Sequence, residues 1–294
     1  MEQGIDISAW QGSVSVDTFK KHKKDIPNII LRSSYTTQQG FNLRKDKYFD
    51  QNIKAANKAG VKKIGVYHYS QAISELEAEK EAEFVINILK PYKQQITLPV
   101  TFDWEFGGRL SGAVARKLGK QRCKQICDAF CRKIRSAGYT PMIYANLSTL
   151  NGYIASDIYK YWNIWVAQYS SKCNYKHPHY AWQYSSSGRV SGIPGAIDMN
   201  WIYGTNVVQH PAVTYKGTLP KLPFRGWFTS GDSGAEVKKL QSFLNWYGGY
   251  GLKIDGKVGR LTIDAVKQYQ GREKLKIDGA FGKQCLERAK IVKR

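Results

Sequence analysis

Short apolar runs alternate with longer amphipathic stretches through residues 1–204. Asn28-Ile29-Ile30-Leu31-Arg32, Lys63-Ile64-Gly65-Val66-Tyr67-His68-Tyr69, Thr97-Leu98-Pro99-Val100-Thr101-Phe102, Met142-Ile143-Tyr144 and Trp162-Asn163-Ile164-Trp165-Val166-Ala167-Gln168 are rich in β-branched and aromatic residues. They predict strands. Between them, apolar residues recur at helical spacing over 49–59, 74–89 and 114–137. Ser74 is placed to cap the second helix, with Glu75, Glu77 and Glu79 near its positive end. Strand and helix in alternation predict an α/β domain with a barrel of parallel strands.

Residues 205–225 break the pattern. Pro211, Gly217, Pro220 and Pro223 mark a linker. Beyond it, residues 226–294 carry helical patterns over 234–247, 261–270 and 283–290. They surround an internal repeat. Leu252-Lys253-Ile254-Asp255-Gly256-Lys257-Val258-Gly259 returns 23 residues later as Leu275-Lys276-Ile277-Asp278-Gly279-Ala280-Phe281-Gly282. Each copy centres on an Asp-Gly turn. A small, mostly helical second domain is expected.

Acidic residues stand out against this pattern. Val100-Thr101-Phe102-Asp103-Trp104-Glu105 is a strand ending in two carboxylates one residue apart. Positions i and i+2 of a strand share a side, so Asp103 and Glu105 project together. Alone, so short a triplet is most often a solvated strand end. Two more acids shift the balance: Asp6 in Gly4-Ile5-Asp6-Ile7 and Asp198 in Ala196-Ile197-Asp198-Met199 also sit within apolar strands. In a parallel barrel such residues converge on the carboxyl-terminal face. Crowded carboxylates cannot all ionise, so one keeps a proton near neutral pH. Hydrolysis of a glycosidic bond uses that pairing.

Composition adds three constraints. The 19 tyrosines and 8 tryptophans offer flat faces for sugar rings, beside their ordinary packing role. The net charge of +22 favours an anionic partner. It is spread over the chain: 28 basic against 16 acidic side chains in residues 1–204, and 17 against 7 in 205–294. Nucleic acid is one candidate and an anionic cell wall another, and no recognised nucleic-acid-binding motif accompanies the charge. Five cysteines, an odd number, argue against a disulfide framework. Cys123, Cys127 and Cys131 fall on one helix face, as small apolar groups. Without matching His or Cys spacing, neither metal nor cofactor is expected. No apolar stretch suits a membrane span, and the first strand starts at Gly4, so no signal peptide is expected. Such a chain is expected to be made in the cytoplasm and to need help to leave it.

Gly4-Ile5-Asp6-Ile7-Ser8-Ala9-Trp10-Gln11-Gly12, Thr101-Phe102-Asp103-Trp104-Glu105, Trp165-Val166-Ala167-Gln168-Tyr169, Trp182-Gln183-Tyr184-Ser185-Ser186-Ser187-Gly188 and Pro194-Gly195-Ala196-Ile197-Asp198-Met199-Asn200 resemble family 25 glycoside hydrolases, the lysozyme-type N-acetylmuramidases. Residues 229–290, with Asp255-Gly256-Lys257-Val258-Gly259 and Ala265-Val266-Lys267-Gln268-Tyr269-Gln270, resemble a small helical peptidoglycan-binding domain. The resemblance implies a flattened, incomplete TIM-like barrel over 1–204, a linker over 205–225 and a cell-wall-binding domain over 226–294. It implies cleavage of the β-1,4 bond between N-acetylmuramic acid and N-acetylglucosamine in peptidoglycan. Glu105 would be the general acid and then base, with Asp103 ionised and orienting the substrate's N-acetyl group. Asp6 and Asp198 would complete the acidic pocket. Tyr67, Tyr69, Tyr144, Gln168 and Trp182 would line the cleft. The implied setting is a phage endolysin or a bacterial autolysin acting on a Gram-positive wall with anionic polymers. Self-association through the C-terminal module stays open, and a non-catalytic wall-binding protein is the alternative.

Overall fold

The computed structural model describes residues 1–204, 215, 217–248, 250 and 252–292. The chain divides into two compact units, Met1–Gln209 and His210–Arg294. Residues 205–214 and 216 of the expected linker lie outside the described residues.

The first unit is one nine-stranded sheet. Its strands are β1 (Glu2–Ile7), β2 (Asn28–Thr36), β3 (Leu43–Lys45), β4 (Lys63–Ser70), β5 (Val100–Trp104), β6 (Pro141–Asn146), β7 (Asn163–Ala167), β8 (Ala181–Gly188) and β9 (Ile197–Ile202). Pairing of β1 with β2 closes the sheet into a barrel, and β3 hangs from β2 as a hairpin partner. From β1 through β8 the barrel strands run parallel. The last strand departs from the all-parallel expectation: β9 is antiparallel to both β8 and β1. Only residues 189–196 separate β8 from β9. A parallel crossover needs about a dozen residues or more, so the chain can only turn back.

Helices α1 (Val16–His22), α2 (Phe49–Lys58), α3 (Glu75–Leu89), α4 (Gly112–Leu118), α5 (Lys120–Ser136) and α6 (Leu147–Gly152) join the earlier strands. Ser74 Oγ accepts from Glu77 N at 3.3 Å and caps α3 as expected. The single helix predicted over 114–137 is instead two, broken at Gly119, whose φ of +80° lies in the left-handed region that glycine tolerates. Among the described residues no helix follows β7 or β8 before the next strand, which leaves the barrel incomplete. Cys123, Cys127 and Cys131 are free and buried on α5, and burial raises their thiol pKa values.

Strand alternation separates two interiors. Ile5, Ile7, Val66, Phe102, Trp104, Ile143 and Val166 belong to the core between barrel and helices. Ile30, Met142, Tyr144, Trp165, Ala167, Ala181 and Ile202, with Tyr67, pack together inside the barrel. The acids stand above this apolar floor.

The second unit contains α7 (Ala235–Gly248), α8 (Arg260–Arg272) and α9 (Lys283–Val292), and a short antiparallel pair of β10 (Trp227–Phe228) with β11 (Phe281–Gly282). Each repeat is fastened by a glutamine. Gln241 Nε2 donates to Asp255 Oδ1 at 2.9 Å, and Gln241 Oε1 accepts from Gly256 N at 2.9 Å. Gln270 does the same for Asp278 Oδ1 at 2.7 Å and Gly279 N at 2.8 Å. The repeat is therefore a repeated joint: a helix amide holding the next Asp-Gly turn.

Candidate active site

Three strands deliver the acids to one end of the barrel. Asp6 lies near the carboxyl end of β1 and Asp103 near that of β5, with Glu105 just past it. Asp198 lies near the amino end of β9, yet because β9 is antiparallel it pairs in register with Asp6. The closing strand thus brings its acid to the same rim by running the opposite way.

Asp6 is buried and well supplied with donors. Its Oδ2 accepts from Gln183 Nε2 at 3.0 Å and from Asn200 Nδ2 at 2.8 Å. Asn200 Oδ1 accepts from Trp165 Nε1 at 2.9 Å, extending the chain of bonds across the barrel. Burial drives the Asp6 pKa well up, and the facing Asp198 charge adds to it. The two carboxyls also hydrogen-bond each other, which raises Asp6 and opposes the rise of Asp198. Asp6 is the member of the pair that keeps the proton.

Asp103 is buried with its Oδ1 unpartnered among the described residues. Its pKa is raised by burial first, then by Glu105 and Asp6, while Arg32 on β2 pulls it down. Arg32 is held at 2.8 Å by Asp46, whose carboxylate also accepts from Ala9 N at 3.0 Å and Tyr48 N at 2.9 Å. Glu105 is half-buried, and its pKa is raised by burial and by Asp198.

Tyr144 hydrogen-bonds Glu105, lowering its pKa, yet its hydroxyl also stands 2.8 Å from Gln183 Oε1. One hydroxyl proton serves one acceptor at a time. Tyr169 supplies a second donor to Gln183 Oε1 at 3.1 Å, so Tyr144 can turn to Glu105 without stranding the amide. Burial raises the pKa of both Tyr67 and Tyr144, with nearby acids adding to the rise, so both stay protonated as donors. Tyr69 feels Asp103 and Glu105 and accepts from Gln38 at 3.3 Å.

The structure brings together Asp6, Asp103, Glu105, Asp198, Tyr67, Tyr69 and Tyr144 of the residues singled out in the sequence. It does not bring Gln168 and Trp182 to them. Gln183 faces inward to Asp6, so its neighbour Trp182 faces the other way and donates its indole N–H to the Gln168 carbonyl at 2.8 Å. Gln168 Oε1 accepts from Asn174 N at 2.8 Å and holds the loop after β7. Four residues join the site that the sequence reading passed over: Arg32, Tyr169, Gln183 and Asn200. Asn200 was within reach, since it stands two places from Asp198 on the same strand face. Among the described residues no group of three or more His, Cys, Asp or Glu could hold a metal ion.

Comparison with known proteins gives this geometry its context. The profile of glycosyl hydrolases family 25 matches residues 5–193. The chain belongs to glycosyl hydrolase family 25. It is a glycoside hydrolase acting on peptidoglycan, with a peptidoglycan binding domain matched at residues 233–288. The autolytic lysozyme of Clostridium acetobutylicum is 26% identical over 95% of this chain and 76% of its own length. Lysozyme M1 of Streptomyces globisporus is 27% identical over 69% of this chain and 68% of its own. The modular autolysin LytC of Streptococcus pneumoniae, solved with a synthetic peptidoglycan ligand, superposes with a TM-score of 0.58 at 27% identity. That match covers 68% of this chain and only 46% of LytC. No helix among the described residues is long and apolar enough to cross a membrane.

Proposed function

We propose that this chain is an N-acetylmuramidase, a lysozyme that cleaves the β-1,4 bond between N-acetylmuramic acid and N-acetylglucosamine. The observation that carries this reading is the unpartnered Oδ1 of buried Asp103 beside the raised Glu105. A buried acceptor without a donor costs about 1–3 kcal/mol, and a substrate N–H would satisfy it. Glu105 starts protonated and gives its proton to the glycosidic oxygen as the C1–O bond breaks. The carbonyl oxygen of the substrate's own acetamido group bonds to C1, while Asp103 accepts that group's N–H. Glu105, now ionised and steadied by Tyr144, takes a proton from the water that reopens the ring. Asp6 and Asp198 share a proton and hold the acidic floor of the cleft.

The setting completes the proposal. The basic chain suits the polyanionic polymers of a Gram-positive wall, and the second unit holds the enzyme on peptidoglycan. A phage endolysin that waits in the cytoplasm until the membrane is breached fits this best, with a bacterial autolysin second. The test is reducing-end analysis of digested Gram-positive peptidoglycan, wild type beside Glu105→Gln, by borohydride reduction and mass spectrometry. New muramitol ends from the wild type alone are expected. Glucosaminitol ends would mean a glucosaminidase, and no new ends would leave a wall-binding protein.

A further inference from the structure

Glu105 stands past the end of β5, on residues 105–110, where the sheet no longer fixes the backbone. We propose that Gln71 is the positioning residue that sets Glu105 at the mouth of the barrel, anchored from behind the sheet by Glu81. This rests on Glu105 being the general acid.

Gln71 follows β4 and is fully buried. Its Nε2 donates to the Ser70 carbonyl at 3.0 Å and to the Glu105 carbonyl at 3.4 Å. Its Oε1 accepts from Leu110 N at 3.1 Å. One amide thus holds both ends of the segment that carries the acid. Within the segment, Gly107 N donates to Leu110 O at 2.7 Å. Its tip is fixed separately, by Arg109 on Glu77 at 2.8 Å and by Arg109 N on Gln38 O at 3.1 Å. Gly108 has a φ of +59°, and a Cβ there would lie 2.5 Å from Gln38 O, so the backbones meet flush.

Gln71 is itself held. Its backbone N donates to Glu81 Oε1 at 3.2 Å. Glu81, fully buried on α3, also accepts from Thr36 Oγ1 at 2.5 Å and Ser70 Oγ at 2.6 Å, with His68 Nε2 at 3.5 Å. The carboxylate fixes the end of β4, and β4 through Gln71 fixes Glu105. An apolar side chain could fill the space but could not set the register of two backbone groups. A shift of about 1 Å in a reacting group costs up to roughly 100-fold in rate.

Gln71→Met keeps length and burial but loses the amide's bonds to both ends of the segment. Gln71→Asn keeps the amide but is one methylene too short to span both ends. On soluble peptidoglycan fragments each folded variant is expected to lose roughly 10- to 100-fold in kcat, with KM within about twofold. The limb of the kcat–pH profile that reports Glu105 should move as well, because its carboxyl changes surroundings. Wild type and Glu105→Gln are run alongside. Silence from the wild type would overturn the muramidase reading and this inference with it. An active wild type with unchanged kcat and pH profile in a folded variant overturns the role of Gln71 alone. So does a kcat loss in both variants that matches the unfolded fraction seen by circular dichroism.

Discussion

Two buried carboxylates, one on each side of the same sheet, have opposite fates. Glu81, between barrel and α3, is surrounded by Thr36, Ser70 and the Gln71 amide. Asp103, inside the barrel, has an oxygen that no described residue satisfies. Their burial is nearly the same, at 0% and 5% exposure, so burial does not distinguish them. The supply of donors does. An acid enclosed by donors is a structural joint, whereas an acid left short of donors among other acids is a site waiting for a ligand.

The largest test of that contrast is Glu105→Gln. It should cost about 10²–10⁴-fold in kcat by removing the transferable proton, while the thermal melt stays close to wild type. A melt that collapses with the activity would instead make Glu105 part of the frame. Next come paired stability measurements. Glu81→Gln turns an acceptor into a donor facing donors, and should destabilise the barrel unit by about 1–3 kcal/mol. Asp103→Asn should do the reverse at neutral pH, raising stability while abolishing turnover.

The sign follows from the raised pKa. The folded chain releases the Asp103 proton at a higher pH than the unfolded chain does, so stability falls as pH rises from the ordinary carboxylate range through the raised value. Urea unfolding from pH 4 to pH 8 should show that fall in the wild type and less of it in Asp103→Asn. Equal slopes would mean that Asp103 ionises freely. The smallest effect on turnover is expected from the second unit. Gln241→Leu or Gln270→Leu frees one Asp-Gly turn and should destabilise the second unit by about 1–3 kcal/mol. Hydrolysis of soluble fragments should not change, and a loss there would couple a clamp to the chemistry.

Asp6, Asp103 and Asp198 were legible in the sequence because each interrupts an apolar strand, and Glu105 follows Asp103 on the same face by simple alternation. Alternation also argued against Trp182 once Gln183 was known to face inward, but which of the two does so depends on the partner strand. Gln183 and Asn200 could not be read as donors to Asp6, being 177 and 194 residues away. Only closure of the sheet makes them neighbours. The break at Gly119 was masked by a continuous helical pattern on both sides. The direction of β9 was legible in principle, since the link from β8 is too short for a crossover.

The antiparallel final strand also sets an order of events during synthesis. Asp6 leaves the ribosome well before two of its hydrogen-bond donors, Gln183 and Asn200, and before the Asp198 carboxyl that faces it. A nascent chain stopped before residue 197 carries Asp103 and Glu105 but has no β9 to close the ring. The mouth of the barrel is therefore assembled in one late step, with contacts spanning nearly the whole unit, and long-range closure of that kind is slow. A chain that stops short of β9 lacks the Asn200 donor to Asp6 and the facing carboxyl of Asp198.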